Sequence, residues 1–214
     1  KEENVPAWKV RNSNNYYLEA FAKSLNLEII DGGTIKDDEP EKLRQSLKDF
    51  INSDINLFVT SGAISAGKYD FIPKLVEDCG FKKYFKGVSI KPGKPMMLST
   101  FKDKLFFGLP GNPISCAAGF RFFIYPLLRN ILGMPKEKAS KGKLVNTYSK
   151  NKNFTHFSRC FMKTNKQGQC EIRVLQGQQS HRIRSFTKSN CWAIFSQGKE
   201  KFKKGDLTDF LTLI

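Results

Sequence analysis

The stretch from Ser61 to Pro113 decides the fold of this chain. It contains SGAISAGKYDF (61–71), IKPGKP (90–95) and GLPGNP (108–113), and each follows or ends a strand-like run: INLFVT, FKGVSI or KLFFGL. Ligands in open α/β sheets bind outside the carboxyl ends of strands, so the three turns are predicted to line one crevice. Glycine allows tight turns and close approach there, and proline holds the backbone stiff.

These turns carry side chains that suit an anion. Lys91 and Lys94 flank a Pro-Gly pair on one stiff turn. Two unit charges about 4 Å apart interact by roughly 4 kcal/mol near a protein surface, so the two ammonium groups repel unless an anion lies between them. Asn112, between Pro110 and Pro113, opens a helix whose free amides favour a second anion contact. The alternatives are a solvated basic turn and an ordinary helix cap.

Residues 62–68 (GAISAGK) match the first seven positions of the phosphate-binding P-loop. The eighth residue is Tyr69 rather than Ser or Thr, which disfavours a true P-loop, although successive backbone amides still favour an anion. Asp70 follows, and a carboxylate beside a phosphate-binding turn is typical of a magnesium site. Asp37 and Asp38, in the loop after the second predicted strand, are expected to join Asp70. A helix cap and a turn residue are the respective alternatives.

Upstream of this stretch, strand-like and helix-like segments alternate. This alternation predicts an α/β domain with right-handed crossovers and a mostly parallel sheet flanked by helices. The predicted strands are VPAWKV (5–10), LEIID (27–31), INLFVT (55–60) and YFKGVSI (84–90), followed by a hairpin of MMLST (96–100) and KLFFGL (104–109). The predicted helices cover 15–27, 41–51, 71–80 and the long apolar run 114–134, with a kink at Pro126.

Beyond residue 140 the pattern changes. Residues 136–143 (KEKASKGK) are polar and small, and we expect a linker there. Short alternating segments follow, separated by turns rich in Gly, Asn and Gln, which predicts a small all-β sandwich or barrel. The domains are therefore predicted to be 1–140 and 141–214.

The formal net charge is +16, and residues 141–214 carry 15 Lys and Arg against 4 Asp and Glu. Such a basic tail favours nucleic acid or another polyanion. The chain lacks the RNA-recognition aromatic motif and any recognition-helix pattern, so a lysine-rich solvated surface is the preferred interpretation and nucleic acid is not expected. A steep fall of DNA binding with ionic strength would indicate the opposite.

Five scattered cysteines without C-x-x-C spacing disfavour a zinc site and a secreted disulfide framework, and favour a reducing cytoplasm. No apolar run has the length of a membrane span, so no membrane association is expected. The chain begins with Lys1 rather than Met, so we expect a processed product or a piece of a longer protein.

The individual motifs are weak, but their series closely resembles the molybdopterin molybdenumtransferases, the family of MoeA and of the C-terminal part of gephyrin. The matching segments are N-S-N (12–14), D-D (37–38), T-S-G (60–62), D-F (70–71), K-P-G-K-P (91–95), G-L-P-G-N-P (108–113), Q-S-H (179–181) and S-N-C (189–191). The resemblance implies a molybdopterin-binding α/β domain followed by a β-barrel domain. It also implies an enzyme that inserts molybdate into the dithiolene of adenylated molybdopterin, with release of AMP and help from Mg²⁺.

The resemblance assigns roles to particular residues. Asp37 and Asp70 would serve the metal, and Lys91 and Lys94 the oxyanion and phosphate. The other residues expected to bind substrate are Ser61, Gly62, Pro110, Asn112, Pro113 and Ser180. Ser180 would approach from the C-terminal domain across the interface of a homodimer.

Three departures from the family pattern accompany the resemblance. The two N-terminal domains of the family are absent before Trp8, Lys68 stands where relatives mostly have an acid, and Gly87 stands where they usually have a base. We therefore expect a fragment that binds its ligand but does not insert metal at a normal rate alone. Lys68 is expected to replace the missing cation, and the alternative is a surface side chain that points into solvent. The alternatives are a molybdopterin-binding or adenylating relative without insertion activity, and a basic module that binds a partner or nucleic acid.

Overall fold

A computed structural model of the chain describes residues 12–36, 38–64 and 71–213. Its elements are, in order, α1 (Asn14–Ser24), α2 (Pro40–Ile51), β1 (Leu57–Ser61), α3 (Ile72–Asp78), β2 (Lys82–Lys86), β3 (Ile90–Lys91), β4 (Met97–Phe101), β5 (Lys104–Leu109), α4 (Pro113–Gly119), a π-helical turn (Phe120–Ile124), α5 (Tyr125–Ile131), β6 (Ser140–Leu144), β7 (Tyr148–Ser149), β8 (Thr155–Thr164), β9 (Cys170–Val174), α6 (Arg184–Thr187), β10 (Cys191–Phe195), β11 (Lys201–Phe202) and β12 (Leu207–Thr212). Within these described ranges, none of the helices has the length and apolarity needed to cross a membrane.

The N-terminal sheet is mixed, so the prediction of a mostly parallel sheet is wrong. Its strand order is β1-β5-β4-β2, with β1 and β5 parallel and the other two pairings antiparallel. The reason is the predicted hairpin, which is confirmed: the short link between β4 and β5 forces them to run in opposite directions. Since β2 runs opposite to β4, the strands β1, β5 and β2 share one direction, and their carboxyl ends meet at one edge.

The predicted strand LEIID is wrong, because residues 27–31 form no strand. A strand needs a partner for its backbone groups, and in the described part of the chain β1 pairs only with β5. Ile30 is 68% exposed, so this segment does not bury its apolar side chains as a sheet strand would. The other predicted strand of this region, VPAWKV, lies outside the described residues.

Helices cover both faces of the sheet. On one face, α2 and α3 bury Leu47 and Val76 against Phe106 of β5. On the other face, α1 and α4 bury Phe21 and Ile114 in a second apolar cluster. The predicted helices in these regions are confirmed, since their apolar side chains recur at helical spacing and find this sheet to pack on.

The long apolar run forms α4, the π-helical turn and α5 without a break. The irregularity predicted at Pro126 takes the form of this π-helical turn directly before Tyr125. Proline lacks an N–H, and its ring conflicts with the carbonyl four residues earlier, here that of Phe122. A wider turn is one way to relieve this conflict within a continuous helix.

The C-terminal part is a small closed barrel, as predicted. The ring of paired strands runs β8-β9-β6-β12-β10 and closes through the pairing of β10 with β8. Its interior holds apolar side chains such as Leu144, Ile172 and Phe195. The predicted linker 136–143 is wrong in its second half, because Ser140–Leu144 is strand β6. Gly142 lets β6 pack beside β9, since a Cβ at this position would clash with the side chain of Ile172 in β9.

The barrel is joined to the N-terminal domain beside the KPGKP turn. Strand β3 does not enter the first sheet but pairs in parallel with β8, with Lys91 opposite His156. The rings of Phe122 and Phe157 stack across the boundary with centroids 3.6 Å apart. The barrel therefore forms a continuous surface with the turn that carries the two lysines.

Candidate functional site

A cleft of about 590 Å³ lies where the two parts meet. It is lined by six residues that the sequence predicts for the site: Gly62, Lys91, Lys94, Pro110, Asn112 and Ser180. Ser61 and Pro113 adjoin lining residues in the chain but do not line the cleft themselves. Ser180 belongs to the same chain as the two lysines, so the described cleft brings them together without a second subunit.

Two of the turns meet because β1 and β5 are parallel neighbours. Their last residues, Ser61 and Leu109, are paired, and the N–H of Gly62 donates to the carbonyl of Leu109 over 2.8 Å. Gly62 has a φ of +105°, a conformation that L side chains rarely adopt. A Cβ on Gly111 would lie 3.4 Å from the Cα of Gly62, so both glycines let the two backbones approach.

The third turn, 91–95, is closed by two backbone hydrogen bonds at its base. The N–H of Gly87 donates to the carbonyl of Met96 over 2.7 Å, and that of Val88 to the carbonyl of Lys94 over 3.0 Å. Gly93 at the tip has a φ of +104° and packs against the start of α4, where a Cβ would lie 3.4 Å from the carbonyl oxygen of Ser115. Gly87 itself has a φ of +80°, so a glycine suits the base of this turn.

Both lysines of this turn are exposed, and neither has an acidic partner in the part of the chain that the structure describes. The ammonium of Lys94 lies 5.8 Å from the ring centroid of Phe154, the residue directly before β8 of the barrel. Lys91 lies on the edge strand β3. Two cations without carboxylates at one cleft favour an anionic ligand.

The N-terminal Asn-Ser-Asn motif (12–14) contacts the cleft through a hydrogen bond to the lining residue Gly111. Asn14 is buried, and its Nδ2 donates to the carbonyl of Gly111 over 2.9 Å. The side chain of Asn12 accepts hydrogen bonds from the N–H groups of Asn14 and Asn15 in the first turn of α1. Asn112 begins α4, but its side chain makes no capping hydrogen bond and remains exposed at the cleft.

The residues expected to hold magnesium, Asp37 and Asp70, lie outside the described residues, and so does Lys68. Within residues 12–36, 38–64 and 71–213, no group of three or more His, Cys, Asp or Glu side chains is placed to hold a metal ion. The fit of a magnesium ion therefore depends on the two aspartates, and the described cleft itself offers cations and backbone amides.

Sequence reasoning missed three residues around the cleft: Phe154 and Gln178, which line it, and the buried Arg159 behind Gln178. All three belong to the barrel, and nothing in their local sequence marks them.

His156 is a further group near the cleft that the sequence did not predict, and it lies opposite Lys91. Its burial, and then the charges of Lys150 and Lys91, lower its pKa to about 4. The imidazole is therefore neutral at pH 7, with Nδ1 2.9 Å from the hydroxyl of Tyr148.

Comparison with known families agrees with this geometry. A family model described as a probable molybdopterin binding domain matches residues 3–130, and one described as the MoeA C-terminal region (domain IV) matches residues 141–213. The chain belongs to the MoeA-type molybdopterin-binding family. The family resemblance stated from the sequence motifs is thus confirmed.

Relatives of this MoeA-type chain include named enzymes. The molybdopterin molybdenumtransferase of Haemophilus influenzae is 31% identical over 201 residues, which cover 92% of this chain and 49% of that protein. The molybdenum cofactor synthesis protein cinnamon of Drosophila melanogaster is 37% identical over 116 residues, or 52% of this chain and 19% of that protein. The chain spans about half the length of the curated molybdenumtransferases it matches.

The solved MoeA protein of Pyrococcus horikoshii superposes with a TM-score of 0.79 at 22% identity, covering 100% of this chain and 51% of that one. At this identity the likeness establishes the fold, a molybdopterin-binding domain with a small barrel behind it.

Proposed function

We propose that this chain carries the substrate cleft of a molybdopterin molybdenumtransferase. In the proposed reaction, molybdate enters the dithiolene of adenylated molybdopterin and AMP is released. The observation that supports this most directly is the cleft itself, where two exposed lysines, two glycine-bearing turns and Ser180 line one volume. Adenylated molybdopterin and molybdate are both anions, and this lining matches their charge.

The residues of the cleft act by binding and orientation. Lys91 and Lys94 would hold phosphate or molybdate oxygens and neutralise their charge, and the turn that carries them is already closed at its base. The small residues Gly62 and Gly111 leave room for a ligand to approach the backbone. The proposed reaction needs no protein nucleophile, since both reacting groups belong to substrates that the cleft holds close together.

Magnesium, when bound, would neutralise phosphate oxygens, and Asp37 and Asp70 are the carboxylates we propose for it. We further propose a homodimer in a reducing cytoplasm, and a domain boundary between residues 140 and 141. Light scattering tests the dimer, and magnesium titration of Asp70→Asn and Asp37→Asn variants tests the metal site.

The decisive experiment compares ligand binding and turnover in the same preparations. We expect AMP and molybdate to bind the wild-type chain, and Lys91→Ala and Lys94→Ala each to weaken binding by about 1.5–3 kcal/mol, as for a hydrogen bond to a charged group. The exposed Lys166→Ala, in a barrel turn, is the matched control. Unchanged affinity in both cleft variants, measured by calorimetry, refutes the anion site.

Turnover separates insertion from binding alone. We expect this chain to insert molybdenum into adenylated molybdopterin more slowly than a full-length relative, because it spans about half of such proteins. Binding of AMP with no insertion, even after the remaining half of a full-length relative is supplied in trans, would favour a binding or adenylating relative instead.

A further inference from the structure

A fully buried arginine lies behind one wall of the cleft without a carboxylate partner. Arg159 of β8 is 0% exposed, and no acidic side chain forms an ion pair with it in the described part of the chain. Burial holds its pKa at about 10, below the usual value but still well above neutral pH. A buried charge without a counter-ion is unfavourable. An apolar side chain would fill the same space at lower cost, so the guanidinium is best explained by what it binds.

The guanidinium binds residues 177–185, which run from the link after β9 into α6. Its Nε donates to the Ser185 hydroxyl over 2.8 Å, and its Nη2 donates to the Gly177 carbonyl over 2.7 Å and to the Gln179 carbonyl over 3.3 Å. The Ser185 hydroxyl in turn donates to the Gly177 carbonyl over 2.8 Å. The two ends of the segment are thus joined through one side chain.

The backbone of the same arginine holds the middle of the segment. The N–H of Arg159 donates to Oε1 of Gln178 over 3.0 Å, and Nε2 of Gln178 donates to the Arg159 carbonyl over 2.9 Å. Residues 175–183 form no strand or helix, so these contacts take the place of a regular ladder. Gln178 and Ser180, both in this segment, line the cleft.

We propose that Arg159 is a positioning residue that fixes the 177–185 segment so that Ser180 faces the anionic ligand in the cleft. The Nη1 group of Arg159 is buried and has no hydrogen-bond partner among the residues that the structure describes, so the positive charge is not fully satisfied by the segment. That charge favours an anion in the cleft together with the two exposed lysines. The identity of the anion rests on the proposed function, whereas the positioning is a property of the chain alone.

Two substitutions separate the hydrogen bonds from the charge. Arg159→Lys keeps the charge but cannot reach Ser185 and both carbonyls from one nitrogen. Ser185→Ala removes the acceptor of Nε and leaves the guanidinium in place. Arg173→Lys is the matched control, because Arg173 is exposed on the neighbouring strand β9.

The first measurement is amide hydrogen exchange in the ligand-free chain. We expect faster exchange of the amides of residues 177–183 in Arg159→Lys and in Ser185→Ala, with unchanged protection of β8 and β10 and no change in the control. Unchanged exchange of this segment in both variants overturns the proposal. If Arg159→Lys fails to fold, Ser185→Ala alone decides.

The second measurement is calorimetric AMP affinity in a double-mutant cycle with Ser180→Ala. We expect Arg159→Lys to weaken AMP binding roughly tenfold in the wild-type background, as for the loss of one strong contact, and less than twofold when Ser180 is already alanine. A general structural defect would weaken both backgrounds equally, and that result overturns the proposal. If the wild-type chain binds no AMP, the proposed function fails while the exchange result still decides the role of Arg159.

Discussion

Arg121 lies in the π-helical turn between α4 and α5 and contacts both Glu137, in the link before β6, and the last strand, β12. Its removal gives the sharpest test of how the N-terminal domain and the barrel are held together. The guanidinium is 0% exposed and forms a two-pronged pair with Glu137, with N–O distances of 2.8 and 2.7 Å. Its Nε also donates to the Thr212 carbonyl of β12 over 3.2 Å. Loss of either partner should therefore loosen the barrel from the helix.

The two partners differ in burial, and this difference sets the order of the effects. Glu137→Gln leaves a buried guanidinium without a counter-ion, and breaking a buried pair in this way costs about 3–5 kcal/mol. The side chain of Glu137 is 27% exposed, so water recovers part of this, and we expect about 2–3 kcal/mol. Arg121→Met leaves a carboxylate that can reach solvent, and we expect about 1 kcal/mol from the lost hydrogen bonds.

Urea and thermal denaturation measure both effects. For a chain of this length, Glu137→Gln should lower Tm by about 5–10 °C and Arg121→Met by about 2–4 °C. Glu19→Gln is the control, since the Glu19–Lys23 pair is exposed and worth only about 0.3–0.5 kcal/mol. A larger loss in Arg121→Met than in Glu137→Gln would refute the argument from burial, and so would a Glu137→Gln effect no greater than the control.

Two further predictions concern groups beside the cleft. Burial lowers the pKa of His156 to about 4, so the unfolded chain binds more protons between pH 6.5 and 4 and stability falls as pH falls through that window. Urea midpoints of His156→Phe should fall less over the same window, and an equal fall would contradict the assignment. Asn14→Ala removes the hydrogen bond to Gly111 and should cost about 0.5–1.5 kcal/mol and weaken AMP binding, whereas Asn15→Ala should leave AMP affinity unchanged.

The sequence by itself determined those features that depend on neighbouring residues. The hairpin of β4 and β5 follows from two alternating runs and a short turn, and the helices follow from apolar spacing. The turns at 91–95 and 108–113 are marked by glycine and proline, which restrict the backbone wherever they occur. Their lysines and Asn112 could therefore be predicted as cleft residues before any contact was known.

Only the tertiary structure decided which strands pair. Residues 27–31 have the composition of a strand but form none, while Ser140–Leu144 looks like a linker and forms strand β6 between β12 and β9. The neighbour of β2 was likewise hidden, because β2 pairs with β4, which follows it in the chain, and not with β1. Strand pairing joins residues that are far apart in the chain. The local sequence of a segment therefore does not show which other strand it pairs with, or whether it pairs at all.

The same reason explains the site residues that the sequence missed. Phe154 and Gln178 reach the cleft, with Arg159 behind Gln178, because β3 pairs with β8 and brings the barrel against the KPGKP turn. A buried arginine without a carboxylate has no signature in the local sequence, since burial and hydrogen bonding arise from segments far apart in the chain. The sequence thus determined the anion-binding turns, and the fold decided which barrel residues complete the cleft.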